Sequence, residues 1–283
     1  MRYGLYGINQ DALGEPEAAT AVAEAAESAG FDSLWVGEHV VLPDPLTPPP
    51  YMKPEDPILD PVVALSFLAA RTCKILLGTG VIVLPQRNPL VLAKELASLD
   101  VLSGGRLIFG LGVGYLEPEM SAIGVPMEHR GTRADEYLAA MLALWTQPKP
   151  AFHGRFVNFG GIQAYPRPVQ RPRPPIVIGG RSPAAHRRAI RYGDGWYGFN
   201  LSLDEAAQQV AGLHEAAHKY TRGPGLRELE ISVTPRDAVG PEAARRYGEL
   251  GVHRLILKLP RGSPVNEVLA FVHSTSASLI APV

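Results

Sequence analysis

Short apolar runs alternate along the whole chain with longer segments of mixed apolar and polar character. The short runs are rich in β-branched and aromatic residues, a pattern that predicts strands. Eight strands are predicted, at residues 3–8, 33–36, 74–84, 106–111, 175–178, 195–199, 229–233 and 254–259.

Each predicted strand is followed by a segment whose apolar residues recur every three or four positions, which is typical of a helix that buries one face. These helices are predicted at residues 16–29, 61–71, 89–102, 130–145, 183–192, 203–220, 241–250 and 265–279. Alternation of this kind requires a parallel sheet, and eight units in about 250 residues is the number that closes a barrel. We therefore predict an α/β fold, a (β/α)8 TIM barrel forming a single domain over residues 1–283. A doubly wound sheet is the alternative, and the even spread of the units argues against it.

Two segments do not fit the simple alternation. Residues 43–61 contain eight prolines, with Tyr51 and Met52 between them, and predict a stiff loop on the catalytic rim that could serve as a lid. Residues 151–174 form an insertion before the fifth strand that ends in alternating prolines and arginines. We expect this insertion to cross the barrel surface in extended conformation as a spacer, rather than to dock another protein.

Composition points to a small-molecule partner. The chain has 27 Lys plus Arg against 28 Asp plus Glu, so it offers no basic field for nucleic acid or an anionic membrane surface. The single Cys73 excludes a disulfide framework, fits a reducing compartment and is most simply a small core residue. No signal-like start or bilayer-length apolar run is present, so we expect a cytoplasmic protein. The sequence leaves open whether it forms a homodimer.

The most informative stretch is residues 107–115, where an apolar strand runs into Gly110, Gly112 and Gly114. Glycine lacks a Cβ and tolerates positive φ, so a flat ring or a phosphate could approach this backbone closely. The stretch is not a dinucleotide fingerprint, because the third glycine of that motif is missing and residues 115–118 follow in place of a helix.

A second glycine pair predicts an anion site. The fifth strand passes through Gly179 and Gly180 into a helix with Ser182 as its cap and Pro183 in its first turn. Free N–H groups and the positive end of the helix dipole would then face the active rim of the barrel, and Arg181 could bind a phosphate in bidentate fashion. The alternative is an ordinary helix start with a solvated arginine.

His39, at the end of the second strand, is the strongest candidate for proton chemistry, because a neutral imidazole can both accept and donate a proton near pH 7. A lone histidine is more often structural. Its neighbour Glu38 would point to the opposite side unless the strand has already turned. Lys258 lies late in the eighth strand, but its neighbours show no setting that would activate a lysine. His214 and His218 have helical metal-pair spacing without the required acidic partner, so no metal site is predicted.

Several segments together resemble the luciferase-like monooxygenase superfamily, and within it the branch of deazaflavin (coenzyme F420)-dependent oxidoreductases. These segments are residues 29–39, 77–81, 93–106, 130–137, 179–180 and 192–196. The resemblance extends from Tyr3 to about Phe199 and fades beyond Asn200, so the last two strands rest on periodicity alone.

The resemblance implies a flat ring across the barrel mouth and a phosphate on the later strand ends. It also implies a non-prolyl cis peptide at Gly80–Val81. The cofactor-binding residues that it implies are His39, Gly80, Val81, Gly112, Gly179 and Gly180. We expect Thr79, Gly114, Tyr115 and Arg181 to bind the cofactor as well, and His39 and Glu38 to be the catalytic residues.

The implied activity is hydride transfer between coenzyme F420 and a small organic substrate. Related dehydrogenases often carry Asp before the active-site histidine, where this chain has Glu38, and this difference leaves the substrate open. An FMN-dependent monooxygenase is the first alternative, because a deazaflavin reacts poorly with oxygen. A flavin- or deazaflavin-binding barrel without catalytic activity is the second.

Overall fold

Eight parallel strands form a closed barrel, as predicted. The computed structural model describes residues 1–46 and 52–280. In that part of the chain the barrel strands are β1 (Arg2–Tyr6), β2 (Ser33–Val36), β3 (Leu76–Thr79), β4 (Leu107–Gly112), β5 (Ile176–Gly179), β6 (Gly195–Leu201), β7 (Glu230–Pro235) and β8 (Arg254–Lys258). Each strand pairs with the next along the chain, and β8 pairs with β1 to close the ring. The barrel prediction is thus confirmed, including the two strands that rested on periodicity.

Helices cover the outside of the barrel. They are α1 (Pro16–Ser28), α2 (Pro61–Ala69), α3 (Pro89–Leu102), α4 (Glu117–Ala122), α5 (Arg130–Thr146), α6 (Pro183–Tyr192), α7 (Leu203–Lys219), α8 (Pro241–Glu249) and α9 (Val265–Leu279). All eight predicted helices are present, and α4 is an addition. The expectation that no helix follows Gly114 is wrong, because Pro118 occupies the first turn of α4, where proline is tolerated.

The third strand is shorter than predicted. It ends at Thr79, and a two-residue strand, Ile82–Val83, then pairs with Leu111 and Gly112 of β4. The peptide bond between Gly80 and Val81 is cis, at the place that the family resemblance implies. This bulge turns the chain into the mouth of the barrel.

Large side chains fill the barrel interior. Trp35, Ile108, Val177, Tyr197 and Ile256 form a buried cluster between the strands. Gly78 is required beside this cluster, because a Cβ there would lie 2.6 Å from the Trp35 ring. The floor of any site at the barrel mouth is therefore packed and rigid.

The two segments outside the alternation take different forms. The insertion starts with a short antiparallel pair, Phe152–His153 with Asn158–Phe159, and its remainder is irregular. In the proline-rich loop, residues 47–51, and with them Tyr51, lie outside the described residues, so its action as a lid stays a prediction. Its later part is held against the segment that follows β1, since Leu59 N donates to Asn9 O at 2.9 Å.

Two further features bear on the expectations from composition. Cys73 is exposed, so its assignment to the core is wrong; it lies in the turn that enters β3, where its backbone N–H is bound by Glu27. No helix in the described part of the chain combines the length and apolar character that crossing a bilayer requires.

Candidate functional site

A cavity of about 690 Å³ opens at the carboxyl ends of the barrel strands. It collects nearly all of the predicted site residues: Glu38, His39, Gly80, Val81, Gly112, Gly114, Tyr115, Gly179, Gly180 and Arg181. Thr79 does not line it. Apolar side chains such as Leu13, Met52 and Val268 form much of the remaining wall. A concave site of this size, with apolar walls and convergent polar groups, is typical of small-molecule binding.

His39 is paired with a buried carboxylate. Its Nδ1 lies 3.0 Å from Oε2 of Glu119, and the backbone N–H of Val40 donates to Oε1 of the same carboxylate at 2.6 Å. The Glu119 side chain is 2% exposed and that of His39 14% exposed. An ionised carboxylate can only accept hydrogen bonds, so the contact requires a proton on Nδ1 of His39. The Nε2 atom has no hydrogen-bond partner among the described residues and is free for a ligand.

Glu119 was not found from the sequence. It lies on α4, the helix that was not predicted, and is 80 positions from His39. The available signal was local: acidic residues around Pro118 mark the first turn of a helix. That signal would have located α4, but it could not have paired Glu119 with His39.

Glu38 has a different environment from His39. Its carboxylate accepts hydrogen bonds from the Val83 backbone N–H and from Nε of Arg87, the latter at 2.8 Å. Arg87 also donates to Asp60 at 2.6 Å. Burial raises the pKa of the Glu38 carboxyl, and the Arg87 guanidinium opposes that shift. Glu38 thus ties the bulge after β3 to Arg87, and its catalytic role stays a prediction.

The Val81 side chain occupies the space that a side chain at either of two glycines would need. A Cβ on Gly112 would lie 2.8 Å from Val81 Cγ2, and a Cβ on Gly179 would lie 2.9 Å from Val81 Cγ1. The sequence predicts a close approach to the backbone at Gly112 and an anion site at Gly179, and at both glycines the group that lies close is the Val81 side chain. Val81 therefore forms a platform at the base of the cavity, supported by the bare backbones of β4 and β5.

Thr79 supports the same bulge from beneath. Its Oγ1 donates to Gly110 O at 2.6 Å and accepts from Gly110 N at 2.8 Å, and the residue is fully buried. Gly110 has no room for a side chain, since a Cβ would lie 1.9 Å from Thr79 O. In this position Thr79 can affect a bound ligand through the platform, without touching it.

The start of α6 forms the other end of the site. Gly180 has φ +122°, and Ser182 caps the helix by accepting from Ala185 N at 3.2 Å. Arg181 donates from Nη2 to Phe199 O at 2.6 Å and to Asn200 O at 3.0 Å, and its side chain remains 43% exposed. These contacts place the guanidinium beside the helix start, where it can reach an anion.

Aromatic residues form the floor below the cavity. The Tyr6 and Phe199 rings are 4.9 Å apart, and the Tyr197 hydroxyl lies 2.6 Å from Thr234 Oγ1. Burial raises the pKa of Tyr6 to about 12 and that of Tyr197 well above its ordinary value. Both phenols therefore remain neutral across the physiological pH range.

Two further features of the described chain concern a lysine in the cavity wall and metal binding. Lys258 also lines the cavity, and burial lowers the pKa of its ammonium group. No group of three or more His, Cys, Asp or Glu side chains in residues 1–46 and 52–280 is arranged to hold a metal ion.

Comparison with known proteins identifies the family. The chain matches the luciferase-like monooxygenase family over residues 5–278. It is 35% identical over 292 residues to an uncharacterized protein of Mycobacterium tuberculosis, with 99% of each chain covered. It is 38% identical over 133 residues to an FMNH2-dependent dimethylsulfone monooxygenase of Pseudomonas putida, which covers 46% of this chain and 37% of that protein.

A solved structure shares the whole fold. An F420-dependent secondary alcohol dehydrogenase, bound to an F420-acetone adduct, superposes with a TM-score of 0.81 at 17% identity and covers 99% of this chain and 98% of its own. The family match continues beyond Asn200, where the sequence resemblance fades. This chain belongs to the luciferase-like monooxygenase family, whose members are oxidoreductases and monooxygenases.

Proposed function

We propose that this protein is an oxidoreductase that transfers a hydride between coenzyme F420 and a small organic substrate. The observation that carries the proposal is the His39–Glu119 pair, which leaves Nε2 of His39 free in a cavity whose base is the Gly80–Val81 platform. A flat ring on this platform would have a proton donor or acceptor at its edge.

The residues present fit a ring cofactor that carries a phosphate. The cavity of about 690 Å³ lies within the usual range of small-molecule sites. Val81 offers an apolar surface to a ring, and Gly180, Arg181 and the N–H groups at the start of α6 suit a phosphate. Such a cofactor, when bound, supplies the hydride chemistry.

The chain itself supplies orientation and a proton path. Glu119 fixes the tautomer and ring orientation of His39, so that Nε2 can move a proton beside the reacting edge of the ring as the hydride is transferred. Leu13, Met52 and Val268 form an apolar wall that excludes water from that step. The remaining part of the cavity holds the small organic substrate.

This chain shares the fold of the F420-dependent alcohol dehydrogenase over nearly the full length of both chains. That similarity supports a deazaflavin as the cofactor. An FMN-dependent monooxygenase is the second candidate, because the local identity to the dimethylsulfone monooxygenase favours a flavin. Both candidates use the same platform and anion site.

Titration of the cofactor-free protein distinguishes the two candidates. We expect coenzyme F420 to bind at micromolar concentration or tighter and FMN at least about tenfold more weakly. Cofactor fluorescence measures both. Tight binding of FMN without binding of F420 would replace the first candidate by the second.

A pair of variants tests the platform. In Gly179→Ala the new Cβ would press on Val81, at 2.9 Å, and displace its side chain toward the ring. We expect about tenfold weaker cofactor binding, and recovery in the Gly179→Ala/Val81→Ala double variant, which removes the crowding methyl groups. Gly160→Ala, whose nearest neighbour would be 3.9 Å away, is the control. Normal binding by Gly179→Ala would show that Val81 does not contact the cofactor.

A further inference from the structure

Among the described residues, every charged side chain around the cavity but one contacts an oppositely charged group or an imidazole. Glu38 contacts Arg87, Glu119 contacts His39, and Arg261 contacts Asp11 at 3.1 Å and Asp56 at 2.8 Å. Arg181 has Glu205 at 3.9 Å. The exception is the ammonium group of Lys258.

Lys258 has two neutral partners. Its Nζ donates to Asn200 Oδ1 at 2.9 Å and to the Arg236 backbone carbonyl at 2.9 Å. Among the described residues no carboxylate lies within ion-pair distance of Nζ. The nearby charges act on it at longer range, Asp237 raising and Arg236 lowering the pKa of the ammonium. The third N–H of Lys258 is left without an acceptor in the described structure.

Asn200 holds this arrangement in place. It adopts φ +56°, a left-handed conformation that is uncommon for a residue other than glycine, within β6. Its backbone carbonyl accepts from Arg181 while its side-chain oxygen accepts from Lys258. One residue in an unusual conformation therefore links two cations at the cavity wall, which is typical of a functional site rather than a solvated surface.

Lys258 is partly buried, so its ammonium group loses some of its hydration, and neutral oxygens replace only part of what is lost. An anion at the third N–H would complete the set of partners. We propose that Lys258 binds an anionic group of the bound ligand, a carboxylate or a phosphate, at the β8 wall of the cavity. This anion site is additional to the one at the start of α6. The identity of the ligand rests on the proposed function, and the anion belongs either to the cofactor or to the substrate.

Two variants remove the site by different means. Lys258→Met removes the charge and keeps much of the length of the side chain. Asn200→Asp keeps the lysine and supplies it with an internal carboxylate, and aspartate tolerates the left-handed conformation almost as well as asparagine. Lys74→Met, at an exposed lysine on the opposite end of the barrel, is the control.

Matched probes with and without one anionic group measure the effect. The cofactor pairs are F420 with its phosphate-free core, 8-hydroxy-5-deazariboflavin, and FMN with riboflavin; the substrate pair is benzoate with benzamide. We expect both variants to bind the phosphate- or carboxylate-bearing member of one pair about tenfold or more weakly, and to bind the members without that group as the wild type does. Lys74→Met should bind every probe as the wild type does.

The pair that responds identifies the source of the anion. A loss confined to F420 or FMN assigns the anion to the cofactor, and a loss confined to benzoate assigns it to the substrate. Equal effects on the two members of each pair, or no effect on any pair, would overturn the proposal. If neither F420 nor FMN binds the wild-type protein, the proposed function fails, and benzoate against benzamide on the same protein still decides whether the anion site exists.

Discussion

Replacing His39 with alanine should lower the rate of hydride transfer about 100-fold or more, which is the usual effect of removing a general acid or base. The Nε2 atom would be the group that moves a proton at the reacting edge of the ring, and no other histidine lines the described cavity. Cofactor affinity should change much less, because the platform and the anion site remain. Single-turnover measurement with the reduced cofactor and an accepted substrate separates the rate from binding.

Two further variants make this test specific. His214→Ala removes an exposed histidine on α7 and should leave the rate unchanged. Glu119→Gln retains the shape of the partner, but Val40 N and His39 Nδ1 contact different oxygens of Glu119. In the variant an amide NH2, which can only donate, therefore faces one of these two N–H groups. We expect an intermediate loss of rate and an altered pH profile. An unchanged rate in His39→Ala would make His39 a packing residue against the ring.

The sequence predicted the position of His39 but not its partner. Alternation of strands and helices placed His39 at a strand end, and the ends of parallel strands meet on one face of a barrel. Glu119 comes from the helix after β4, so only the closed barrel brings its carboxylate to the imidazole. Contacts between loops that follow different strands have no periodic signal in a single sequence.

The glycines show a second limit. The spacing of Gly110, Gly112 and Gly114 predicts a close approach of a flat ring or a phosphate to this backbone, and the pair Gly179 and Gly180 predicts an anion site. Neither pattern could predict that the structure places the Val81 side chain beside Gly112 and Gly179. Apolar periodicity predicts a strand but gives no signal for a bulge within it, so it predicts a single strand over residues 74–84. Only the family resemblance indicates the break at Gly80–Val81.

Lys258 shows a third limit of prediction from the sequence. The sequence places Lys258 late in the eighth strand, between Leu257 and Leu259, and gives no sign of a setting that would activate it. Its surroundings depend on Asn200 and on the Arg236 carbonyl, which belong to two other strands. The residues next to Lys258 in the sequence therefore cannot predict the environment of its ammonium group.

The opposite end of the barrel offers a stability test that should not affect the site. Arg254 is 2% exposed and contacts two carboxylates, those of Asp32 at 2.8 Å and of Glu230, with its guanidinium 5.9 Å from the Trp35 ring. Arg254→Met would leave the Asp32 carboxylate without its cation and Glu230 with Arg2 alone, at 2.7 Å. Because both carboxylates remain partly exposed, we expect a loss of about 3 kcal/mol in the free energy of unfolding, at the lower end for a broken buried ion pair.

Arg245→Met is the matched control, because Arg245 also contacts two carboxylates, Glu242 and Glu249, but on an exposed helix face. Surface pairs of this kind contribute little, so its unfolding midpoint should stay close to that of the wild type. The midpoint of Arg254→Met should fall by about 6 °C or more in thermal denaturation followed by circular dichroism. Below that transition its cofactor affinity should equal that of the wild type, since Arg254 begins β8 at the far end from the cavity. Equal midpoints for the two variants would show that the number of ion pairs, and not their burial, determines their contribution to stability.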